Sequence, residues 1–257
     1  MEIERPKAIG VDRAVVALDW PRPQVRRVLS QLASKGWLQR TRRGSYEPLF
    51  AETGGIAVPS AWAALTEWRV PHYVAFASAA YELGLTPDRP GEVQVCVRVG
   101  TSRPKAWQSV RLRLIPLRTF SIDGTDERDL HGYPIRVSNV EKTLVDSAAV
   151  PARAGGPFGL ARMVTRAIGA ADWSEFARLA ASTANGGPAA RRLAALLDVL
   201  EEQIPSELQQ VAEASARDTS PFFLGSGEVH GRRGGELRPW GVVVNVSPEG
   251  LREEVQR

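Results

Sequence analysis

The chain has 257 residues, of which 43% are hydrophobic, and a formal net charge of +4 from 33 Lys and Arg against 29 Asp and Glu. This length suffices for one large domain or two ordinary ones. No run of the sequence approaches the roughly 18 to 20 apolar residues of a membrane span, and the acidic residues 1–4 lack the apolar core of a signal peptide. The single cysteine, Cys96, excludes an internal disulfide and a thiolate zinc site. The sequence therefore predicts a soluble cytoplasmic protein with no membrane partner.

The positive charge is concentrated in one segment, residues 20–46. This segment contains no acidic residue and carries +7, so the rest of the chain sums to −3. Its basic residues are Arg22, Arg26, Arg27, Lys35, Arg40, Arg42 and Arg43. A concentrated basic segment in a nearly neutral chain is typical of a DNA-binding module.

The first fifty residues have the pattern of two helices followed by a hairpin. Apolar residues at helical spacing predict a helix over 11–18, and Pro23 suits the first turn of a second helix that stops at Gly36. A hairpin follows over residues 37–49, with its turn at 41–44. The apolar face of the second helix comprises Val25, Val28, Leu29 and Leu32. The opposite face comprises Arg27, Ser30, Gln31 and Ser34, with Gln24 and Arg26 beside them.

This succession of elements is that of a winged helix-turn-helix. In such a domain the second helix enters the major groove, where Arg and Gln bond to base edges, and the hairpin reaches phosphates or the minor groove. The alternative is a solvated basic helix on an ordinary domain. For this domain, residues 1–52, the predicted DNA-binding residues are Arg22, Gln24, Arg26, Arg27, Ser30, Gln31, Lys35, Arg40, Arg42 and Arg43.

The remainder, residues 56–257, follows a predicted hinge at 52–55. Its expected elements are a helix over 60–68, an extended segment at 71–76, a short helix capped by Ser78, strands over 92–99, 110–117 and 133–137, helices from 138 to 216, and a strand at 241–246 before a polar end. The 92–99 strand alternates as if half-buried, with Cys96 on its polar face. Strands first and helices after predict an α+β fold: a winged helix followed by a larger mixed domain with a helical second half.

A second acid-free stretch covers residues 93–122. Its basic residues are Arg98, Arg103, Lys105, Arg111, Arg113 and Arg118. One interpretation is a solvated sheet face. The other is an auxiliary DNA surface, in which Arg111 and Arg113 contact phosphates and do not read sequence.

Catalytic, metal and cofactor sites have little support in the sequence. Glu141 and Asp146, with Lys142 beside them, are candidates for paired catalytic carboxylates. The capping-box pattern of residues 138–141, however, already gives Glu141 a structural role. The three histidines lack metal-ligand spacing, and residues 225–227 lack the rest of a phosphate-binding loop. We therefore expect no enzyme, no metal and no cofactor. Two alternatives stay open: a downstream nuclease domain, against which the carboxylate-free strand at 241–246 argues, and an effector-sensing regulator.

Four short motifs resemble motifs of the AbiEi family, the antitoxins of AbiE-type toxin–antitoxin systems, and they follow one another in the same order as in that family. They lie at residues 28–46 (VLSQL, GWL and RGSY), 76–86 (FASAAYELGLT), 140–146 (VEKTLVD) and 191–193 (RRL). The resemblance implies a winged helix that represses its own operon by binding double-stranded DNA, with inverted repeats in the promoter as the expected sites. It also implies that the larger domain counteracts a nucleotidyltransferase-like toxin encoded next door, with direct contact between the two proteins left open.

Overall fold

A computed structural model describes residues 9–34, 38–48, 61–104, 110–130, 132–217 and 220–256. The chain divides into two compact units. The first combines residues 1–71, 100–112 and 127–135, and the second combines 72–99, 113–126 and 136–257. The predicted boundary between domains 1–52 and 56–257 lies outside the described residues and stays a prediction.

The N-terminal module, residues 9–48, begins the first unit. Its elements are β1 (Ile9–Gly10), α1 (Val11–Leu18), α2 (Arg22–Ser34), β2 (Leu38–Arg42) and β3 (Ser45–Pro48). The strands form an antiparallel sheet in the order β1-β3-β2. The predicted helices and hairpin are confirmed as elements, while β1 had no sequence signal. Its core comprises Val11, Ala14, Val25, Leu29, Leu38 and Tyr46.

A five-stranded sheet follows the helix α3 (Ala61–Glu67). The elements are β4 (His72–Val74), α4 (Phe76–Glu82), β5 (Val93–Arg98), β6 (Leu112–Leu117), β7 (Thr125–Leu130) and β8 (Tyr133–Ser138). The strand order is β6-β5-β4-β8-β7, and β4 pairs antiparallel with β5 and parallel with β8. Strand β7 was not predicted, because its sequence TDERDL has no apolar alternation. It forms at an edge of the sheet, where charged residues are tolerated.

Two predictions about this sheet are wrong. Strand β5 is not half-buried: Val95, Cys96 and Val97 are all fully buried, since both faces of its centre are packed. Ser78 does not cap α4, which begins two residues earlier at Phe76. The Ser78 hydroxyl instead accepts a hydrogen bond from the Gln94 backbone N–H (2.9 Å) and so fastens α4 to β5.

The second half of the chain is helical, as predicted. The helices are α5 (Val140–Ala149), α6 (Gly156–Ala167), α7 (Trp173–Ser182), α8 (Gly186–Val199) and α9 (Ser206–Ala216). Their apolar faces enclose the main core of the second unit, which includes Leu144, Val164, Phe176, Leu193 and Leu208. The fold class is therefore α+β.

The C-terminal region contains more structure than the single strand and polar end predicted from sequence. Its elements are β9 (Phe222–Phe223), α10 (Gly227–His230), β10 (Gly235–Leu237), β11 (Val242–Val244) and α11 (Pro248–Gln256), with strand order β10-β11-β9. Helix α11 escaped prediction because it has few apolar residues, yet it buries Leu251 completely in the core.

Arg191, the first residue of the RRL motif, holds this region to α8. Its side chain is buried and donates from Nε to the Trp240 carbonyl (2.6 Å) and from Nη2 to the Gly241 carbonyl (2.8 Å). The guanidinium also lies 4.7 Å from the ring centroid of Phe222. This motif therefore has a structural explanation.

Candidate nucleic-acid interface

Helix α2 has one buried and one exposed face. Val25 and Leu29 are buried in the core of the N-terminal module, and Val28 and Leu32 are partly buried. The exposed face comprises Gln24, Arg26, Arg27, Ser30 and Gln31. Because apolar residues recur every three to four positions, the polar residues between them necessarily project outward. No acidic side chain in the described part of the chain forms an ion pair with Arg26 or Arg27.

A tight turn fixes α2 against α1. Helix α1 ends at Leu18, and the next residue, Asp19, has a φ of 50°, in the left-handed region that Asp adopts more readily than most residues. After residues 20 and 21 the chain re-enters helix, and the Pro21 carbonyl accepts hydrogen bonds from the N–H groups of Gln24 and Val25. Arg22, the first residue of α2, forms an ion pair with Asp12 in the first turn of α1.

The basic hairpin is anchored to the start of α1. Its turn is at Arg43 and Gly44. Gly44 has a φ of +87°, a backbone conformation that residues other than glycine rarely adopt. The Gly44 carbonyl accepts a hydrogen bond from the Val11 N–H (2.8 Å). Arg40 and Arg43 are exposed. Lys35 lies outside the described residues, as does the side chain of Arg42.

The second acid-free stretch is divided among different roles. Arg111, just before β6, is exposed, and so are Arg98 and Arg118. Arg113 is exposed on β6 but its Nε lies 3.1 Å from a carboxylate oxygen of Glu92. Arg103 donates to the Leu112 and Val110 carbonyls, so its guanidinium is used within the fold. Lys105 lies outside the described residues. Because Arg113 already pairs with Glu92, a phosphate contact by Arg113 would compete with that ion pair.

The VEKTLVD motif contributes to a buried polar cluster that the sequence did not indicate. The Tyr73 hydroxyl donates to one oxygen of Asp146 (3.2 Å), and Lys142 Nζ donates to the other (3.3 Å). Lys142 Nζ also lies 5.0 Å from the Tyr73 ring centroid. We call Tyr73, Cys96, Lys142 and Asp146 the interior cluster. Its side chains lie almost entirely out of water, so the geometry suits a structural role better than a catalytic one.

Burial is the largest cause of the pKa shifts of Asp146, Tyr73 and Cys96. It raises the pKa of Asp146, although Lys142 acts in the opposite direction. Burial beside Asp146 also raises the pKa of Tyr73 far above its ordinary value and that of the Cys96 thiol to about 12. The prediction that Cys96 lies on a polar strand face is therefore wrong. Its side chain packs in an apolar cluster with Tyr73, Phe76 and Ile115.

The predicted capping box at Ser138 and Glu141 is also wrong. The residue that caps α5 is Asn139, whose side chain accepts from the Lys142 N–H (2.9 Å). Glu141 instead accepts a hydrogen bond from the Asp172 backbone N–H (2.7 Å), at the residue that caps α7. Glu141 therefore joins two helices, a tertiary contact that local sequence could not reveal.

The described residues contain neither a metal-binding cluster nor a membrane-spanning helix. In those ranges no group of three or more His, Cys, Asp and Glu side chains is placed to hold a metal ion. No helix among the same residues has the length and apolar composition needed to cross a membrane.

Comparison with known proteins gives a likeness of fold. No family model and no curated protein matches this chain. The crystal structure of the RV2827C protein from Mycobacterium tuberculosis is similar, with a TM-score of 0.64 and 17% sequence identity over 98% of this chain and 90% of that one. At this identity the likeness concerns the fold alone.

Proposed function

We propose that this protein is a DNA-binding repressor and antitoxin that regulates its own toxin–antitoxin operon. The observation that carries the DNA-binding part is the exposed face of α2, where Arg26, Arg27, Ser30 and Gln31 project from a helix whose other face is buried. A short turn connects α1 to this helix, and a hairpin with exposed Arg40 and Arg43 follows it.

In this proposal α2 enters the major groove of double-stranded DNA, because an α-helix fits its width. Arg26, Arg27, Ser30 and Gln31 then read base edges, with Gln24 at the flank. The phosphate contacts come from Arg22 and Lys35 and from the hairpin residues Arg40, Arg42 and Arg43. Because phosphate contacts release counterions, they provide affinity that falls with salt, while base contacts provide the sequence preference. Arg111 and Arg113 are proposed as auxiliary phosphate contacts.

The antitoxin part of the proposal rests on the resemblance of the sequence to the AbiEi family. It assigns the larger domain to counteracting a nucleotidyltransferase-like toxin, whether by direct contact or indirectly. We further propose that the protein has no catalytic activity and needs no cofactor or metal. The interior cluster supports this view, because Lys142 and Asp146 bond to each other and a substrate would have to displace well-packed residues to reach them.

The experiment is binding of the full-length protein to the DNA upstream of its own gene, measured beside scrambled DNA of equal length and composition at physiological salt. We expect specific binding to be about 10³-fold tighter or more, the lower end for sequence-specific proteins. Equal affinity for both DNAs would contradict the repressor proposal. The antitoxin part has a separate test. Co-expression of the full-length protein should restore growth of cells that produce the product of the adjacent reading frame, and unchanged toxicity would contradict it.

A further inference from the structure

The first turn of α1 meets both of the elements proposed to contact DNA. Asp12, the second residue of α1, forms an ion pair with Nη1 of Arg22, the first residue of α2. The preceding residue, Val11, donates its backbone N–H to the Gly44 carbonyl in the hairpin turn. One helical turn therefore adjoins the start of α2 and the tip of the hairpin.

The Asp12–Arg22 pair puts a carboxylate next to the basic surface that residues 20–46 contribute. Residues 20–46 contain no acid, so Asp12 reaches this surface only through the fold. Its side chain is 77% exposed and that of Arg22 is 52% exposed. An ion pair this open to water contributes little to stability. The pair nevertheless places the Arg22 guanidinium beside the first turn of α1.

We propose that Asp12 is a positioning residue that presents Arg22 to a DNA phosphate. This inference rests on the proposed DNA-binding function. A guanidinium has five N–H donors, and the bond to Asp12 uses Nη1, which leaves Nε and Nη2 for a phosphate oxygen. Arg22 lies at the N-terminus of α2, where the backbone also favours an anion. Holding the long side chain in place before binding reduces the entropy that is lost when DNA binds.

The sign of the effect separates this role from simple repulsion. A carboxylate near DNA repels the phosphates, so removal of an acidic charge should by itself strengthen binding. If Asp12 positions Arg22, its removal should weaken binding instead. Asp19 provides a matched control, because it lies at the other end of α1, is exposed, and forms no ion pair within the described residues. Asn also tolerates the left-handed conformation of residue 19.

The experiment measures the affinity of full-length protein for its upstream DNA in five variants: Asp12→Asn, Asp12→Glu, Asp19→Asn, Arg22→Ala, and Asp12→Asn combined with Arg22→Ala. We expect Asp12→Asn to bind about two- to fivefold more weakly, since an ion pair this exposed can contribute only a small coupling. Asp19→Asn should bind as tightly as wild type or more tightly. Asp12→Glu should recover most of the loss, because it keeps the charge within reach of Arg22. In the Arg22→Ala background, Asp12→Asn should have no further weakening effect.

Three results would overturn the inference. Tighter binding by Asp12→Asn, as for Asp19→Asn, would mean that Asp12 only repels DNA. An equal loss with and without Arg22 would mean that Asp12 acts through the stability of α1, where an acid in the first turn is favourable. Unchanged binding by Asp12→Asn would mean that the ion pair does not position Arg22 for DNA. By contrast, failure of the wild-type protein to prefer its upstream DNA would overturn the proposed function itself.

Discussion

Lys142→Met tests the structural role of the interior cluster. Methionine has nearly the length of lysine but carries no charge, so the change removes the cation and leaves the packing volume. Each side chain of the Lys142–Asp146 pair is only 10% exposed. After the substitution Asp146 keeps one partner, the Tyr73 hydroxyl at 3.2 Å. Breaking a buried ion pair in this way costs about 3 to 5 kcal/mol. For a unit of this size that corresponds to a fall of roughly 6 to 20 °C in melting temperature.

The pH dependence of this loss has a definite sign. The pKa of Asp146 is raised in the folded protein by burial, and the rise is opposed mainly by Lys142 and also by the hydrogen bond from Tyr73. Without Lys142 the folded carboxyl binds its proton still more tightly than the unfolded one does. Stability is then lost as the pH rises from the unfolded pKa through the folded pKa, since the folded state holds more protons in that window. Lys142→Met should therefore regain stability as the pH is lowered toward the unfolded pKa of an aspartate, and the wild type should regain less.

The assay is reversible unfolding of the full-length protein, followed by circular dichroism over a series of pH values from neutral to acidic. Lys142→Met combined with Asp146→Leu should recover most of the loss, because apolar residues can replace a buried pair. Arg178→Met is the control: it removes the cation of an exposed ion pair with Glu175 and Asp123 in the same unit and should change the melting temperature far less. If Lys142→Met were as stable as wild type at neutral pH, the interior cluster would not hold α5 to the sheet.

Three further predictions concern separate residues. Burial and a pKa of about 12 should keep the Cys96 thiol from reacting with a thiol reagent until the protein unfolds, and fast labelling of the native protein would contradict its placement. Glu141→Gln should keep the melting temperature of the wild type, because an amide oxygen also accepts a hydrogen bond from the Asp172 N–H. Glu141→Ala removes this bond and should lower the free energy of unfolding by about 1 to 3 kcal/mol. Equal effects of the two substitutions would contradict the hydrogen bond between Glu141 and Asp172. Replacing Arg42 and Arg43 by Ala should weaken binding to upstream and scrambled DNA alike and lower the salt slope by about 1 per lost phosphate contact, so an unchanged slope would exclude them as phosphate contacts.

The sequence was sufficient for the elements that are defined by local pattern. Helix α2 was predicted because apolar residues recur at helical spacing and Pro23 suits its first turn. Its exposed face follows from the same spacing, so the orientation of Arg27 and Gln31 was predictable as well. The long helices of the second unit have equally strong periodicity.

Features that depend on tertiary contact were not predictable. Strand β7 forms because β8 offers it an edge, although its own sequence favours solvent. The burial of Cys96 depends on packing against both faces of β5, and alternation alone indicates one buried face. The bond between Glu141 and Asp172 joins residues 31 positions apart, and the pair of Asp12 and Arg22 joins residues ten apart. Local rules assigned Glu141 to the nearest cap because they consider only neighbours along the chain.

The central claim is that the exposed face of α2 reads DNA sequence, and Gln31 tests it most directly. Its side chain is exposed opposite the buried face and can bond to both hydrogen-bonding groups of one base edge. The measurement is the affinity of wild type and Gln31→Ala for upstream and scrambled DNA under the same salt conditions. We predict a loss of about 1 to 3 kcal/mol on upstream DNA and no change on scrambled DNA. An equal loss on both DNAs would contradict base reading by this face, and no loss on either would remove Gln31 from the interface.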